Sequence, residues 1–403
     1  MTTASETVAA SRSRPRPARY AVAAIFFLNG LALANWIARI PDVKQQLALG
    51  DQMLGLVLLC SAVGALLAQP TVGWLIRHVG SRRMTTLTAV AFCLSPILPG
   101  LAANTLALMA ALFVLGACSG GLDVAMNAQA ALVEQRYARP IMSSFHGIWS
   151  IGGLGGAALG GLIASQRVPV GTHLLGVAVA ATIAAALASR WLLADAGHPG
   201  DAGPSFALPP RALLLLGVIA FGVLLCEGAI ADWSAVYLRE GLRSTPGVAA
   251  TGYAVFSLLM AAGRLTGDWL VLRLGPATVL RAGGGLVALG IGLAIVGAAP
   301  PMAIVGFGFV GAGLACSFPL LLSAGARTPG VAASTAIAAI ATAGYTGFLV
   351  GPPLIGSLAE AVSLRWALAL LALVGVLVVV FGGTVERRPV EPSPEEAVAR
   401  TTS

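Results

Sequence analysis

Charge is what this chain has least of: Asp, Glu, Lys and Arg make up 10% of its 403 residues. A soluble domain carries roughly 25% charged residues, so an ordinary polar coat is out of reach. Lysine is all but missing, and Lys44 stands alone among 24 basic residues. Cysteine is sparse and odd in number. Cys60, Cys93, Cys118, Cys226 and Cys316 each sit inside an apolar run without a C-x-x-C pair, which excludes a disulfide framework and a zinc site. The motifs H-E-x-x-H, G-x-S-x-G and the P-loop are absent. Gly306-x-Gly308-x-x-Gly311 matches the dinucleotide pattern, but it lies in an apolar helix with no strand before it and no acid to take a ribose. Close helix packing through small residues accounts for it. No cofactor, metal centre or enzyme chemistry is therefore expected. Disorder and nucleic-acid binding fall on the same grounds, and the net charge of +8 becomes a question about the two sides of a lipid bilayer.

What the chain has instead is apolar length. Hydrophobic residues reach 57% and the mean hydropathy is +0.88. A spanning helix needs about 20 largely apolar residues. Twelve such runs occur, at 20–41, 51–77, 82–102, 104–134, 140–165, 170–193, 211–239, 246–273, 277–298, 301–326, 331–359 and 363–384. They are too long for barrel strands, so the fold class is an all-α integral membrane protein. Gly/Pro-rich residues 195–210 divide the runs into two sets of six. The expected organisation is a basic tail at 1–19, a bundle at 20–194, the linker, a second bundle at 211–384 and a tail at 385–403.

The two sets repeat one another. Gly73-Trp74-Leu75-Ile76-Arg77-His78-Val79-Gly80 matches Asp268-Trp269-Leu270-Val271-Leu272-Arg273-Leu274-Gly275 at an offset of 195, and the same offset aligns Gly152 with Gly347 and Gly156 with Gly351. Ala34-Asn35-Trp36-x-Ala38 matches Ala231-Asp232-Trp233-x-Ala235 at 197. Two six-helix halves of the same orientation follow. With both termini cytoplasmic, 17 basic residues fall on the cytoplasmic side and 6 opposite, with Arg264 inside helix 8, as the positive-inside rule asks. The arginines at 12–19, the apolar run and Ala32-Leu33-Ala34 imitate a secretory leader. The run continues to Ile40, so cleavage is not expected.

Ionisable residues placed mid-span carry the functional signal, since each costs about 2.5–3.5 kcal/mol on the insertion scale and needs a partner, water or a ligand. In helix 4, Gly116, Gly120, Asp123, Asn127 and Glu134 form one small-and-polar stripe. It reads either as the wall of an aqueous cavity or as a satisfied hydrogen bond between helices, with Glu134 structural. Helix 5 repeats the spacing with His146, Trp149, Gly153, Gly156 and Gly160. His146, the only histidine well inside a span by these boundaries, is either a structural hydrogen-bonder or a ligand. Glu227 falls near the middle of helix 7 and is the stronger cavity candidate. Asp232, five residues on, faces elsewhere, and with its repeat partner Asn35 it reads as a brace for helix ends. Asn29, Trp36 and Arg39 share a face of helix 1. Tyr345 sits above a Gly351-Pro352 break in helix 11. Arg264 and Asp268, one turn apart in helix 8, are expected to pair with each other.

Twelve spans, the six-plus-six repeat and the loops ending at Gly80 and Gly275 resemble the major facilitator superfamily over nearly the whole chain. Arg77 and Leu272 stand where that family usually has aspartate, and Asp268 stands in place of its leading glycine. Gly347-x-x-x-Gly351-Pro352-Pro353 is similar to the family's antiporter signature, which belongs in helix 5; here helix 5 has Gly152-x-x-x-Gly156-Ala157 without the proline. Asp123-Val124-Ala125-x-Asn127, His146-Gly147, Glu227-Gly228, Asp232-Trp233, Gly263-Arg264-x-Thr266-Gly267 and Gly344-Tyr345 resemble the bacterial MosC/YbjJ-like group. The resemblance implies a bacterial inner-membrane transporter, with sugar- or cyclitol-like solutes as one substrate class. The expectation is a proton-coupled secondary transporter working by alternating access, with lipid, a small solute and protons as its partners. Asp123 and Glu227 would carry protons. Asn29, Trp36, Asn127, His146, Trp149 and Tyr345 would line the solute cavity. Arg39, Arg77, Gly80, Asp232, Arg264, Asp268, Gly351 and Pro352 would gate or brace. An exporter of drugs or organic cations, or an uncoupled facilitator, is the alternative on the same fold.

Overall fold

In hydrocarbon, backbone N–H and C=O groups have no water to bond, so each crossing segment must satisfy its own. Among the described residues of the computed structural model, 15–137, 141–195 and 208–386, every regular element is accordingly a helix. The tail residues 1–14 and 387–403, the linker residues 196–207 and the short stretch 138–140 lie outside the described residues. The spans are α1 (Arg16–Ile37), α2 (Asp51–Val79), α3 (Ser81–Leu94), α4 (Thr105–Tyr137), α5 (Met142–Ser165), α6 (Val170–Ala188), α7 (Leu214–Val236), α8 (Pro246–Leu274), α9 (Pro276–Gly297), α10 (Pro300–Leu314), α11 (Ala333–Ala361) and α12 (Ala369–Phe381). Proline opens α8, α9 and α10, where a missing N–H costs nothing.

Eleven helical stretches among the described residues are long and apolar enough to cross a membrane. The twelfth, expected unbroken at 82–102, is divided. Past Leu94, the Ser95 hydroxyl donates to the Phe92 carbonyl at 2.8 Å, and Pro96 leads into a separate turn, Ile97–Gly100. The expected break at Gly351-Pro352 is absent, because α11 runs through Pro352 and Pro353 without interruption.

The repeat is visible in the backbone. Gly80 (φ 86°) and Gly275 (φ 80°), related by 195, each reverse the chain between consecutive spans in a conformation that side chains disfavour. The packing repeats as well: α1 on α5, α2 on α4 and α3 on α6 in one half; α7 on α11, α8 on α10 and α9 on α12 in the other. Within each half, glycine brings backbones into contact. A Cβ on Gly152 would overlap the Phe27 carbonyl, and one on Gly347 would overlap the Phe221 carbonyl.

The two halves meet along two seams, α5 on α8 and α2 on α11. On the first, the glycines of α5 receive side chains of α8: Gly147 faces Leu265, Gly153 faces Ser257 and Gly161 faces Ala250. On the second, Gly55 lies against the Pro352 carbonyl, and a Cβ on Gly356 would come within 2.6 Å of the Asp51 carbonyl. These α2–α11 contacts sit at the far face, opposite the one where α1 starts and α12 ends.

Candidate functional site

Between the halves the midpoints of α1, α5, α7 and α8 bring polar groups together. Arg264 leaves its own helix to reach Glu227 of α7, with Nη2 3.4 Å from Oε1. The two side chains are 20% and 17% exposed. The same guanidinium donates through Nη1 to the Ser150 hydroxyl of α5 at 3.4 Å and stands 5.7 Å over the Trp149 ring. Trp149 in turn donates from Nε1 to Asn29 Oδ1 at 2.7 Å. Arg264 therefore holds both halves at once.

This corrects the expected Arg264–Asp268 pair. Asp268, a turn nearer the terminal face, is exposed, and an i,i+4 pair in water contributes only about 0.2–0.5 kcal/mol. A carboxylate enclosed as Glu227 is would be far costlier to leave without a cation. The guanidinium goes where desolvation makes a counter-charge necessary.

On the opposing wall, Asn127 Nδ2 donates to the Asp123 carbonyl at 2.8 Å and to Asp123 Oδ1 at 3.1 Å. The bond lies within α4, not between helices, and both side chains are half-buried. The rest of the expected stripe serves packing: Gly116 lies against the Ser61 carbonyl, and a Cβ on Gly120 would come within 2.7 Å of Ala65, both neighbours on α2. Glu134 is structural, as expected. Its Oε2 accepts from the Ile141 and Met142 N–H groups at 2.6 and 2.7 Å, capping α5. Tyr345 of α11 lies in the electrostatic field of both Asp123 and Glu227. Its ring faces Phe318 at 6.4 Å. His146 packs edge-on against Phe26 at 5.3 Å, in the field of Arg264.

Other candidates fall elsewhere. Trp36 is buried in the apolar core and does not join the polar group. Arg39, 3% exposed, binds Asp42 at 2.7 Å, the Val168 carbonyl at 2.9 Å and His173 Nδ1 at 3.2 Å. His173 Nε2 donates to Asn35 Oδ1 at 2.9 Å, since Asn35 Nδ2 is already given to the Leu31 carbonyl. Asn35 thus braces the far end of its half. Asp232 does not share that role: among the described residues it has neither a hydrogen bond nor an ion pair, although Tyr253 stands in its electrostatic field. Gly351 faces Leu225, and Pro352 serves the α2–α11 seam.

Arg77 is exposed. The carboxylate at the first repeat loop comes instead from Asp195, whose two oxygens accept from the Ser81 and Arg82 N–H groups at 2.8 and 3.1 Å. Burial alone would raise the Asp195 pKa. The N–H and hydroxyl groups of Ser81 with the N–H of Arg82 outweigh it and hold the carboxyl below its usual range. Ser150, His173 and Asp195 were not singled out from sequence. No local pattern marks them, because each matters through a partner on another helix.

The comparisons with known proteins agree with this architecture. The family model described as Major Facilitator Superfamily matches residues 22–344 and 234–402. An uncharacterized MFS-type transporter of Yersinia pestis is 39% identical over 366 residues, 90% of this chain and 94% of its own length. The membrane protein MosC of Rhizobium meliloti is 35% identical over 362 residues, 89% of this chain and 88% of its own. Among solved structures, the nucleoside transporter NupG superposes with a TM-score of 0.71 at 13% identity, covering 92% of this chain and 99% of its own. A bacterial homolog of the human lysosomal transporter Spinster, in an inward-facing and unoccupied conformation, gives 0.71 at 14% identity, covering 94% and 100%. The chain belongs to the major facilitator superfamily and is a multi-pass membrane transporter of that family.

Proposed function

We propose that this transporter couples proton movement to the passage of a small polar solute across the bacterial inner membrane by alternating access, with both termini cytoplasmic. One observation carries the reading: the Arg264–Glu227 pair spans α8 and α7 while Arg264 also holds Ser150 and Trp149 of the other half. A proton arriving on Glu227 removes the charge that holds the guanidinium. Arg264 is then free to change its hold on α5, so a protonation event becomes a change in how the halves adhere. Asp123, whose electrostatic field reaches Tyr345 as that of Glu227 does, is the second proton carrier. Asp123, Asn127, Glu227 and Arg264 retain partial exposure while α2 and α11 meet near the far face, which supports access from the terminal, cytoplasmic side in this conformation.

The solute is a polar, ring-shaped molecule of the sugar or cyclitol class. Asn29 supports it most directly: its Nδ2 is buried without an acceptor, beside an indole held in place by the Nε1 bond. A hydroxyl-bearing ring stacked on Trp149 would fill both needs.

The experiment is proton flux in proteoliposomes of the purified protein, with a panel of sugars, polyols, amino sugars and organic cations added outside. A solute that moves protons in the wild type, and fails to in Asp123→Asn or Glu227→Gln with the protein still folded, is the expected result. Normal proton-driven accumulation in both variants would refute the assignment. Solute movement without proton movement would convert the reading to a facilitator, and a response to organic cations alone to an exporter.

A further inference from the structure

The far face carries a cluster of charges that the central site does not use, built around the chain's single lysine. Lys44 lies on the short helix Ile40–Gln46 between α1 and α2 and is 7% exposed. Its Nζ contacts Asp51 Oδ1 at 2.7 Å and also binds Glu240 Oε2. Asp51 opens α2 in the same half as Lys44. Glu240 belongs to the turn Tyr237–Gly241 that ends α7 in the other half. A second carboxylate crosses the seam in the opposite sense: Glu360, in the last turn of α11, accepts from the Asp51 N–H at 3.2 Å, and Gly50 leaves room for it.

The bonds divide into two kinds. Lys44–Asp51 joins residues of one half and survives any rigid movement between halves. Lys44–Glu240 and Asp51–Glu360 cross the seam, and both must part if the cavity is to open at this face. The contacts just below them are of glycine with backbone, Gly55 on Pro352 and Gly356 on Asp51. Glu240 is 41% exposed, and a pocket open to solvent between Pro41–Leu49 and Arg239-Glu240 borders the cluster. Ion pairs that water can reach are readily exchanged for hydration, whereas a greasy seam would not part into water.

We infer that Lys44 is the positioning residue of an outer gate: it stays on Asp51 throughout the cycle, and it binds Glu240 only while the outer mouth is closed. The inference rests on the alternating-access reading above. Its chemical consequence is that the ammonium is sheltered in the closed form and becomes available to reagents in water when the gate opens.

Lys44 is the only lysine in the chain, so apart from the amino terminus it is the one primary amine to follow. Full-length protein in lipid nanodiscs is treated with a water-soluble amine-reactive ester, and modification of Lys44 is timed by peptide mass spectrometry. Glu240→Gln and Glu360→Ala, the latter removing the acceptor for the Asp51 N–H, are expected to speed modification several-fold, with the thermal midpoint unchanged. Asp51→Asn, which leaves the cross-seam pair intact, is expected to speed it less. In proteoliposomes Lys44→Arg retains solute-driven flux and Lys44→Met loses most of it. Equal modification rates in wild type and Glu240→Gln would overturn the gate, as would full transport in Lys44→Met. Changed modification rates with no solute ever moving protons would leave the gate standing and sink the proton-coupled reading instead.

Discussion

The Arg264–Glu227 pair permits a quantitative test. At 3.4 Å, two unit charges in a medium of effective dielectric about 20 attract by about 5 kcal/mol. Both side chains keep some exposure, so water screens part of that. We expect a coupling of about 2–3 kcal/mol between them. The measurement is a double-mutant cycle with Glu227→Gln and Arg264→Gln, read by urea unfolding of the purified protein in mild detergent. Loss of the Ser150 bond and the Trp149 contact enters the Arg264 leg and the double variant alike, so it cancels. The double variant should therefore be less destabilised than the sum of the singles by the coupling energy. A parallel cycle with Asp268→Asn should be additive within about 0.5 kcal/mol. Additivity in the Glu227 cycle, or coupling in the Asp268 cycle, would refute the assignment of the pair.

Replacing Trp149 by Phe keeps the ring but leaves Asn29 Oδ1 without its donor; a stability loss of about 1–3 kcal/mol is expected in the same unfolding assay, with weaker solute binding by calorimetry. Gly116→Ala places a methyl group on the Ser61 carbonyl and should cost about 1–3 kcal/mol, seen as a lowered thermal midpoint, whereas Gly155→Ala, whose Cβ meets nothing within 4 Å, should leave the midpoint unmoved. Asp195, with its pKa held below the ordinary carboxylate range, contributes stability that is fully present above about pH 4 and is lost as pH falls through the lower folded value. The stability gap between wild type and Asp195→Asn should therefore close on acidification; a gap that widened would show the sign to be wrong.

Much of the fold was legible because a bilayer imposes length and composition on whatever crosses it, and because the offset of 195 writes the architecture twice. The division of α3 was not. Ser95-Pro96 interrupts its helix while Pro70 and Pro352-Pro353 sit inside unbroken ones, so proline alone does not decide the outcome. Within the site, Asp123 with Asn127 could be read from helical spacing, since both partners share one helix. Glu227 with Arg264, Arg39 with His173 and Lys44 with Glu240 could not, their partners lying 37, 134 and 196 residues apart. A reading confined to one helix offers the nearest opposite charge instead, which is why Asp268 stood in for Glu227. The glycine spacing was ambiguous for a related reason. A small residue serves a cavity wall and a tight backbone contact equally well, and only the neighbouring helix tells them apart.

The α5–α8 seam has a kinetic consequence. Along it Gly147, Gly153 and Gly161 meet Leu265, Ser257 and Ala250 with backbone alone, while Ser150 and Trp149 reach across to Arg264 between them. Knobs locked into holes would have to climb out of one register to enter the next, with a barrier at every turn of helix. A smooth track offers few such steps, and movement along it is limited by whatever holds its ends. The pace of the transporter is then set by a handful of polar attachments, and changes to the lipid-facing leucines should alter how much folded protein there is without altering how fast each molecule turns over.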